Sequence, residues 1–475
     1  MKKYINLLFA GVVLLSLSSC FDDMDDNITY SSTDVKDFVW KAMNAVYLYK
    51  SDIPDLANDR FSSNEEYSDY LATYETPEVL FEDLKYDPQN VDKFSRIYSN
   101  YYDLQNQLQG TSLSNGLEFN LYYVPGSDFE VFGVITLVLN NSAASNLGLQ
   151  RGQIFRVVNG ETLNETNYAS LLNSTSYTLN FADYDNNGTE DTSDDTITLN
   201  GESADLTKVQ YTENPVHTVE TLTVDGTSIG YLLYNRFTSN YEDELNDAFG
   251  QLQAAGVTEL VLDLRYNGGG SVQTAAYLGS MITGQFNGSI FSKLLFNENL
   301  SNNDTNYLFT NSIQGGGSIN SLNLSKLYVL TTNRRTASAS EMIINSLEAY
   351  IDVVVIGENT VGKSQASNTV FDSPSLFGTD NINPNHTYAL QPLIYFTSNV
   401  NEEIVPSTGI VPDVEITESP SNLGILGDVN EPLLAAAIQD ITLNGRPLNQ
   451  SIETISSLRL IKSKLKPLEQ DMYIE

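Results

Sequence analysis

The residues best able to do chemistry lie in two short segments that the chain pattern brings back to one place. Thr336-Ala337-Ser338-Ala339-Ser340-Glu341 follows a predicted strand and opens a helix free of Gly and Pro through Tyr350. A serine there sits in the positive end of a helix. A helix of roughly 11 residues rises about 16 Å, and the β-branched run after it spans about 20 Å in the opposite sense. The chain thus returns to where it began, carrying Gly357-Glu358-Asn359-Thr360-Val361-Gly362-Lys363, so Lys363 reaches the neighbourhood of Ser338 across 25 positions of sequence. A neutral lysine can take a serine proton if burial lowers its pKa, and bringing it from about 10.4 to about 7 costs roughly 4 to 5 kcal/mol of ion desolvation. Dry surroundings are required, and Ile344, Val354, Val355 and Ile356 are the candidate wall. Separately, Asn267-Gly268-Gly269-Gly270 follows a predicted buried strand, and glycines let backbone amides approach a ligand closely, as an oxyanion hole requires.

Composition narrows the alternatives. Only two histidines, His217 and His386, and one cysteine, Cys20, occur in 475 residues, leaving little for histidine-based catalysis, a thiolate nucleophile or a zinc site. Chemistry must run on Ser, Thr, Lys, Tyr, Asp or Glu. With 61 acidic against 24 basic residues the formal charge is −37, a field that repels nucleic acid. With 41% apolar residues the chain can build a sizeable core, and a single cysteine permits no intramolecular disulfide to help hold it.

The elements that must position these residues follow from periodicity. Val35 to Tyr49 carries apolar side chains at helical spacing and opens a small helical domain, 34–110. From Ser114 the pattern changes to β-type runs, Leu117 to Tyr123, Val131 to Leu139 and Ile154 to Val158, defining a second unit, 113–200. Between 205 and 425 strands and helices alternate, which predicts a layered α/β core. A last helix, Glu431 to Ile441, opens the segment 426–475, whose tail beyond Asn449 is expected to pack on the surface or stay mobile.

Thr-Ala-Ser-Ala-Ser-Glu, the Asp-Leu-Arg-x-Asn-x-Gly-Gly strand end and Gly-Glu-x-Thr-x-Gly-Lys together resemble the tail-specific, or C-terminal processing, serine peptidases. The likeness runs from near Leu117 to Asp413 and includes Gly409-Ile410-Val411-Pro412-Asp413, similar to that family's closing strand. It implies an α/β multidomain protein whose catalytic core is similar to the crotonase and Clp-protease superfold. By that likeness Ser338 rather than Ser340 is the nucleophile and Lys363 the general base. The amides of Ala339 and of one glycine of Gly268 to Gly270, Gly269 foremost, form the oxyanion hole. Glu341 and Thr360 match supporting positions. Several members carry a Gln four residues after the lysine; here Ser367 stands there, and Gln365, two after, is the substitute on offer. Ala144 to Gly160, ending Ile154-Phe155-Arg156-Val157-Val158-Asn159-Gly160, resembles the bacterial PDZ signature with Gln153 in place of its Asp, and Gly116-Leu117-Glu118-Phe119 looks like the PDZ carboxylate loop. The implied activity is a serine endopeptidase acting through an acyl-enzyme, without a cofactor, on polypeptides engaged near their C-terminus. The alternative is a non-catalytic, peptide-binding surface lipoprotein of the same fold.

Two further motifs stand apart. Asp183, Asp185 and Asn187 precede Gly188 at calcium-loop spacing, but flanking strands make a solvated hairpin turn the stronger reading, so no metal is expected. Lys2 and Lys3, the apolar stretch Ile5 to Leu17, and Leu17-Ser18-Ser19-Cys20 resemble a lipoprotein signal, 1–19, with acylation on Cys20. Removing it leaves 61 acids against 22 bases, so the anchor to a membrane is lipid rather than basic residues. Asp22, Asp23, Asp25 and Asp26 make 20–33 an acidic tether, similar to the export signal of Bacteroidetes-type surface lipoproteins. That likeness places the protein on the outer membrane, facing outward.

Overall fold

The computed structural model describes residues 32–189, 191–297, 299–443, 458–461 and 468–474. At its centre is a six-stranded sheet in the order Val216–Val224, Thr227–Tyr234, Glu259–Asp263, Lys326–Thr331, Asp352–Gly357 and Val414–Glu415. The first pair is antiparallel and every later pair parallel. Parallel strands covered on both faces lose the alternation of a half-exposed sheet, which is why Tyr231-Leu232-Leu233-Tyr234 and Leu260-Val261-Leu262 read as unbroken apolar runs. Alternate residues serve opposite cores. Leu232, Leu262, Val329 and Val355 face helices Glu242–Ala254, Val272–Thr283 and Ala339–Glu348, whereas Tyr231, Val261, Leu330 and Ile356 face helix Pro432–Thr442.

This alternation corrects the expected apolar wall. Ile344 and Val355 belong to one core and Val354 and Ile356 to the other, so the four cannot enclose one lysine together.

Helices Ser32–Val46, Asn64–Ala72, Pro77–Asp83 and Tyr101–Leu108 occupy the region read as a helical domain. They have no core of their own: Val35, Val39, Met43, Leu80 and Phe81 merge with the apolar cluster of the central sheet. Strand Arg96–Tyr98 also pairs antiparallel with Ala389–Gln391, tying the beginning of the chain to the α/β region 205–425.

Residues 117–207 form a separate six-stranded antiparallel sheet, ordered Leu117–Tyr123, Val131–Val138, Ile154–Val158, Ser176–Asp185 and Thr196–Thr207, with the short strand Glu161–Thr162 paired to Ile154–Val158 off this path. Its interior is built around Val131, Ile135, Phe155 and Leu179. Gly133 lets the Phe155 ring lie flat on the neighbouring strand, since a Cβ there would fall 2.0 Å from the ring. Leu117–Tyr123 is an edge strand of this sheet.

The chain's last described residues are where the sequence reading needs its largest correction. Met472–Ile474 is a strand, not a surface tail, inserted between Gly270–Ser271 and Gln365–Asn368 and parallel to both. It completes a second six-stranded sheet, continued by Leu393–Ser398, Ile290–Phe296 and Thr305–Leu308. Met472 is fully buried in the main core.

Candidate active site

Ser338 precedes helix Ala339–Glu348 with φ 60° and ψ −116°, a conformation that suits glycine and strains a residue with a Cβ. Its side chain is wholly buried. Glu341 holds it there, because Glu341 Oε2 accepts the Ser338 amide at 2.8 Å. The same carboxylate accepts the Lys363 amide at 2.9 Å through Oε2, and the Gly362 amide at 2.6 Å and the Thr360 hydroxyl through Oε1. One buried carboxylate therefore ties the serine turn to the lysine loop. Burial pushes the Glu341 carboxyl up, while the Thr360 hydroxyl and the three backbone amides pull it down. Thr360 is fixed in turn by Ile410, whose amide donates to its hydroxyl at 2.8 Å.

The glycine turn lies against the serine. A Cβ on Gly269, whose φ is 108°, would fall 2.6 Å from the Ser338 Cβ and 3.0 Å from the Ala339 nitrogen, so only glycine fits. Asn267 holds the turn by donating to the Tyr234 carbonyl at 2.8 Å and accepting the Gly269 amide at 2.9 Å. The Gly269 N–H expected to face a substrate is thus directed to the Asn267 side chain. Ser340 donates to the Asn267 carbonyl at 2.9 Å, so its hydroxyl braces the turn.

The strand leading to this turn ends in a buried charge network. Arg265 donates to Asp263 at 2.9 Å, to Glu431 at 2.7 and 2.9 Å and to Glu418 at 3.0 Å. Arg151, from the 117–207 sheet unit, reaches Glu418 at 2.6 Å and links that unit to the core. Although desolvation pushes it up, Arg151 and Arg265 hold the Glu418 carboxyl down at about 2.

Lys363 is 1% exposed, and its Nζ lies 4.3 Å from the centroid of the Phe94 ring. Its dry surroundings thus include an aromatic face from the amino-terminal region. Burial lowers its pKa, opposed chiefly by the Asp471 carboxylate. Lys363 Nζ donates to the Gln470 carbonyl oxygen and to Asp471 Oδ1, both at 2.9 Å. Ser338 Oγ donates to that same Gln470 oxygen at 2.8 Å. The hydroxyl and the amine therefore lie within 5.7 Å of each other, the limit set by these two bond lengths.

Gln365 does not orient the lysine in this arrangement: its side chain interacts with the Tyr49 phenol, while Gln470 and Asp471 hold Nζ. Phe94, Gln470 and Asp471 were absent from the sequence reading. Each is remote in sequence and carries no motif, so only the fold brings them together.

The remaining candidates are placed elsewhere. Asp183 accepts from Asn200 at 3.0 Å, Asp185 accepts the Asn187 amide at 2.9 Å, and the Asn187 side chain donates to the Asp194 carbonyl, so local partners engage the hairpin. Among the described residues no group of three or more His, Cys, Asp or Glu side chains could hold a metal. Cys20, the signal 1–19 and most of the tether 20–33 lie outside the described residues. No described helix is long and apolar enough to cross a membrane.

Comparison with known proteins places this geometry in a family. Residues 228–416 match the model of Peptidase family S41 and residues 34–96 that of the Peptidase S41 N-terminal domain. The chain belongs to the S41 peptidases, the tail-specific or C-terminal processing family. A "Carboxyl-terminal-processing protease" from Picosynechococcus is 25% identical over 218 residues, covering 46% of each chain. A "C-terminal processing peptidase, chloroplastic" from Tetradesmus obliquus is 30% identical over 135 residues, covering 28% of this chain and 26% of that one. The chain thus spans about half, or less, of the length of the curated relatives it matches. A crystal structure of a candidate S41 protease from Bacteroides fragilis NCTC 9343 superposes with a TM-score of 0.68 at 28% identity, covering 86% of this chain and 98% of that one.

Proposed function

We propose that the protein is a serine endopeptidase that hydrolyses peptide bonds of polypeptides through a Ser338–Lys363 dyad. One observation carries the reading: a strained, buried Ser338 hydroxyl and a buried Lys363 amine both donate to a single peptide carbonyl oxygen. Neutral Lys363 takes the Ser338 proton as Oγ attacks the substrate carbonyl, giving a tetrahedral oxyanion. The Ala339 amide, at a helix N-terminus, and an amide of the Gly268–Gly270 turn stabilise that charge. Collapse expels the amine with the proton returned by Lys363, and water then releases the acyl group by the same route. Glu341 and Thr360 position the two reacting groups.

The unit read as 113–200 acts in this proposal as a PDZ-like domain that captures substrate near its C-terminus on the edge strand Leu117–Tyr123. Acylation at Cys20 anchors the protein to the outer membrane in the same reading. Prolonged incubation with a fluorophosphonate probe and peptide mapping tests the chemistry. Adduct is expected on Ser338 in the parent chain, with none there in Ser338→Ala and strongly slowed labelling in Lys363→Ala. Equal peptide turnover by parent and Ser338→Ala removes the enzymatic reading and leaves a peptide-binding protein. Metabolic labelling with a fatty-acid analogue, lost in Cys20→Ala, tests the anchor.

A further inference from the structure

Two stretches of the protein's own chain lie where an extended peptide would bind. The first adds to the edge strand Leu117–Tyr123. The Tyr123 amide donates to the Arg459 carbonyl and the Ile461 amide to the Leu121 carbonyl, each at 2.9 Å, and Tyr122 bridges Leu460 in antiparallel sense. Ile461 is 6% exposed and joins the apolar cluster of that unit with Leu117, Leu121 and Leu172. These contacts have the two parts of strand addition, main-chain bonds for affinity and a pocketed side chain for specificity. The antiparallel direction carries the segment toward the Gly116 end of the edge strand.

The second stretch crosses the proposed catalytic centre. Gly268 leaves room for a backbone: a Cβ there would fall 1.6 Å from the Glu469 carbonyl oxygen. Beyond it, Gln470 offers its carbonyl oxygen to Ser338 and Lys363, Asp471 pairs with Lys363, and Met472–Ile474 is hydrogen-bonded between two strands. Arg236 donates to the Leu468 carbonyl at 3.0 Å, and the Leu468 amide donates to Asp471 Oδ2 at 3.1 Å, closing the turn that presents Gln470.

We propose that residues 458–461 and 468–474 are a built-in substrate mimic, the first stretch filling the edge strand of the PDZ-like unit and the second the Ser338 centre, and that an extended polypeptide substrate must displace them to bind along the same track. The inference rests on the peptidase reading and adds its regulation. Two features make the bound segment an inhibitor rather than a substrate. Ser338 donates to the carbonyl oxygen, whereas an attacking hydroxyl must face the carbonyl carbon. The Asp471 carboxylate beside Nζ favours the ammonium form of Lys363, which cannot accept a proton. Substrates that compete for the track are extended chains with an apolar side chain for the Ile461 pocket and another for the site of Met472.

The test uses the full chain carrying Ile461→Asp and Met472→Asp, which places a carboxylate in each apolar anchor, and a fluorescent synthetic peptide of residues 458–474. The double variant is expected to bind the peptide by anisotropy and to label at Ser338 with fluorophosphonate at least about tenfold faster than the parent, the peptide slowing it again. Labelling as fast in the parent as in the variant, or no peptide binding by the variant, overturns the inference. Peptide binding without labelling in either protein keeps the occupancy and instead overturns the serine-peptidase reading. Asp471→Asn keeps both apolar anchors and covers the case in which the double variant fails to fold. It is expected to label at least about threefold faster, and an unchanged rate in it overturns the inhibitory role.

Discussion

The backbone of Ser338 allows the strain at the proposed nucleophile to be measured without catalysis. Ser338→Ala and Ser338→Gly both remove the hydroxyl and its bond to Gln470, so their difference isolates the conformation at φ 60° and ψ −116°. At an ordinary buried position alanine is favoured over glycine, by about 0.4 to 1 kcal/mol through the unfolded chain and by about 0.8 kcal/mol for the buried methyl. A residue with a Cβ held in this region costs about 1 to 3 kcal/mol, which glycine does not incur. The opposing effects leave Ser338→Gly between about 0.8 kcal/mol less stable and about 1.8 kcal/mol more stable than Ser338→Ala, instead of less stable by about 1 to 2 kcal/mol. Equilibrium urea denaturation of the two variants at pH 7 reads the difference directly. If Ser338→Ala proves the more stable by about 1 kcal/mol or more, the strain is not there and preorganisation of the serine loses its support.

Glu341→Gln replaces two acceptor oxygens by one oxygen and one amide, leaving at least two of the four donors that meet Glu341 facing another donor. At about 1.5 to 3 kcal/mol for each bond to a charged group, it should lose roughly 3 to 6 kcal/mol of stability in urea titration. Parent-like stability together with a parent-like labelling rate at Ser338 refutes the bridging role. Glu418→Gln tests the buried charge network by pH. The folded-state pKa is depressed from 4.5 to about 2, so this contribution is present above the unfolded value and lost as pH falls toward about 2. The shift is equivalent to about 3 kcal/mol, so parent and variant should differ by that order at pH 7 and converge only below about pH 2. A gap that stays constant across this range contradicts the assignment.

How much of this could be read in the residues depends on how local each signal was. The α/β alternation, the helix opening after Ser338 and the strands Leu117–Tyr123 and Ile154–Val158 rest on periodicity within one segment, and they appear within a residue or two of their expected bounds. The return of Lys363 toward Ser338 was legible because one helix and one strand of comparable length separate them. The wall around Lys363 was not, since a strand buried on both faces gives no clue to which of Val354, Val355 and Ile356 faces which core. Gln365 was assigned from its distance to the lysine in sequence, but its side chain meets Tyr49 instead. Leu468 to Ile474 was missed outright, because a stretch that short has no usable period and its partners at Gly270 and Ser367 lie far away in the chain.

The shared apolar interior of the early helices and the central sheet bears on biosynthesis. Phe94, which lies over the proposed base, leaves the ribosome long before Lys363 does. Strand Arg96–Tyr98 likewise waits for its partner at Ala389–Gln391. The proposed hydrolytic centre is therefore an assembly of distant contacts that closes only late in translation. A nascent chain carries Phe94 and the early helices for most of its length before Lys363 exists to be buried beneath them.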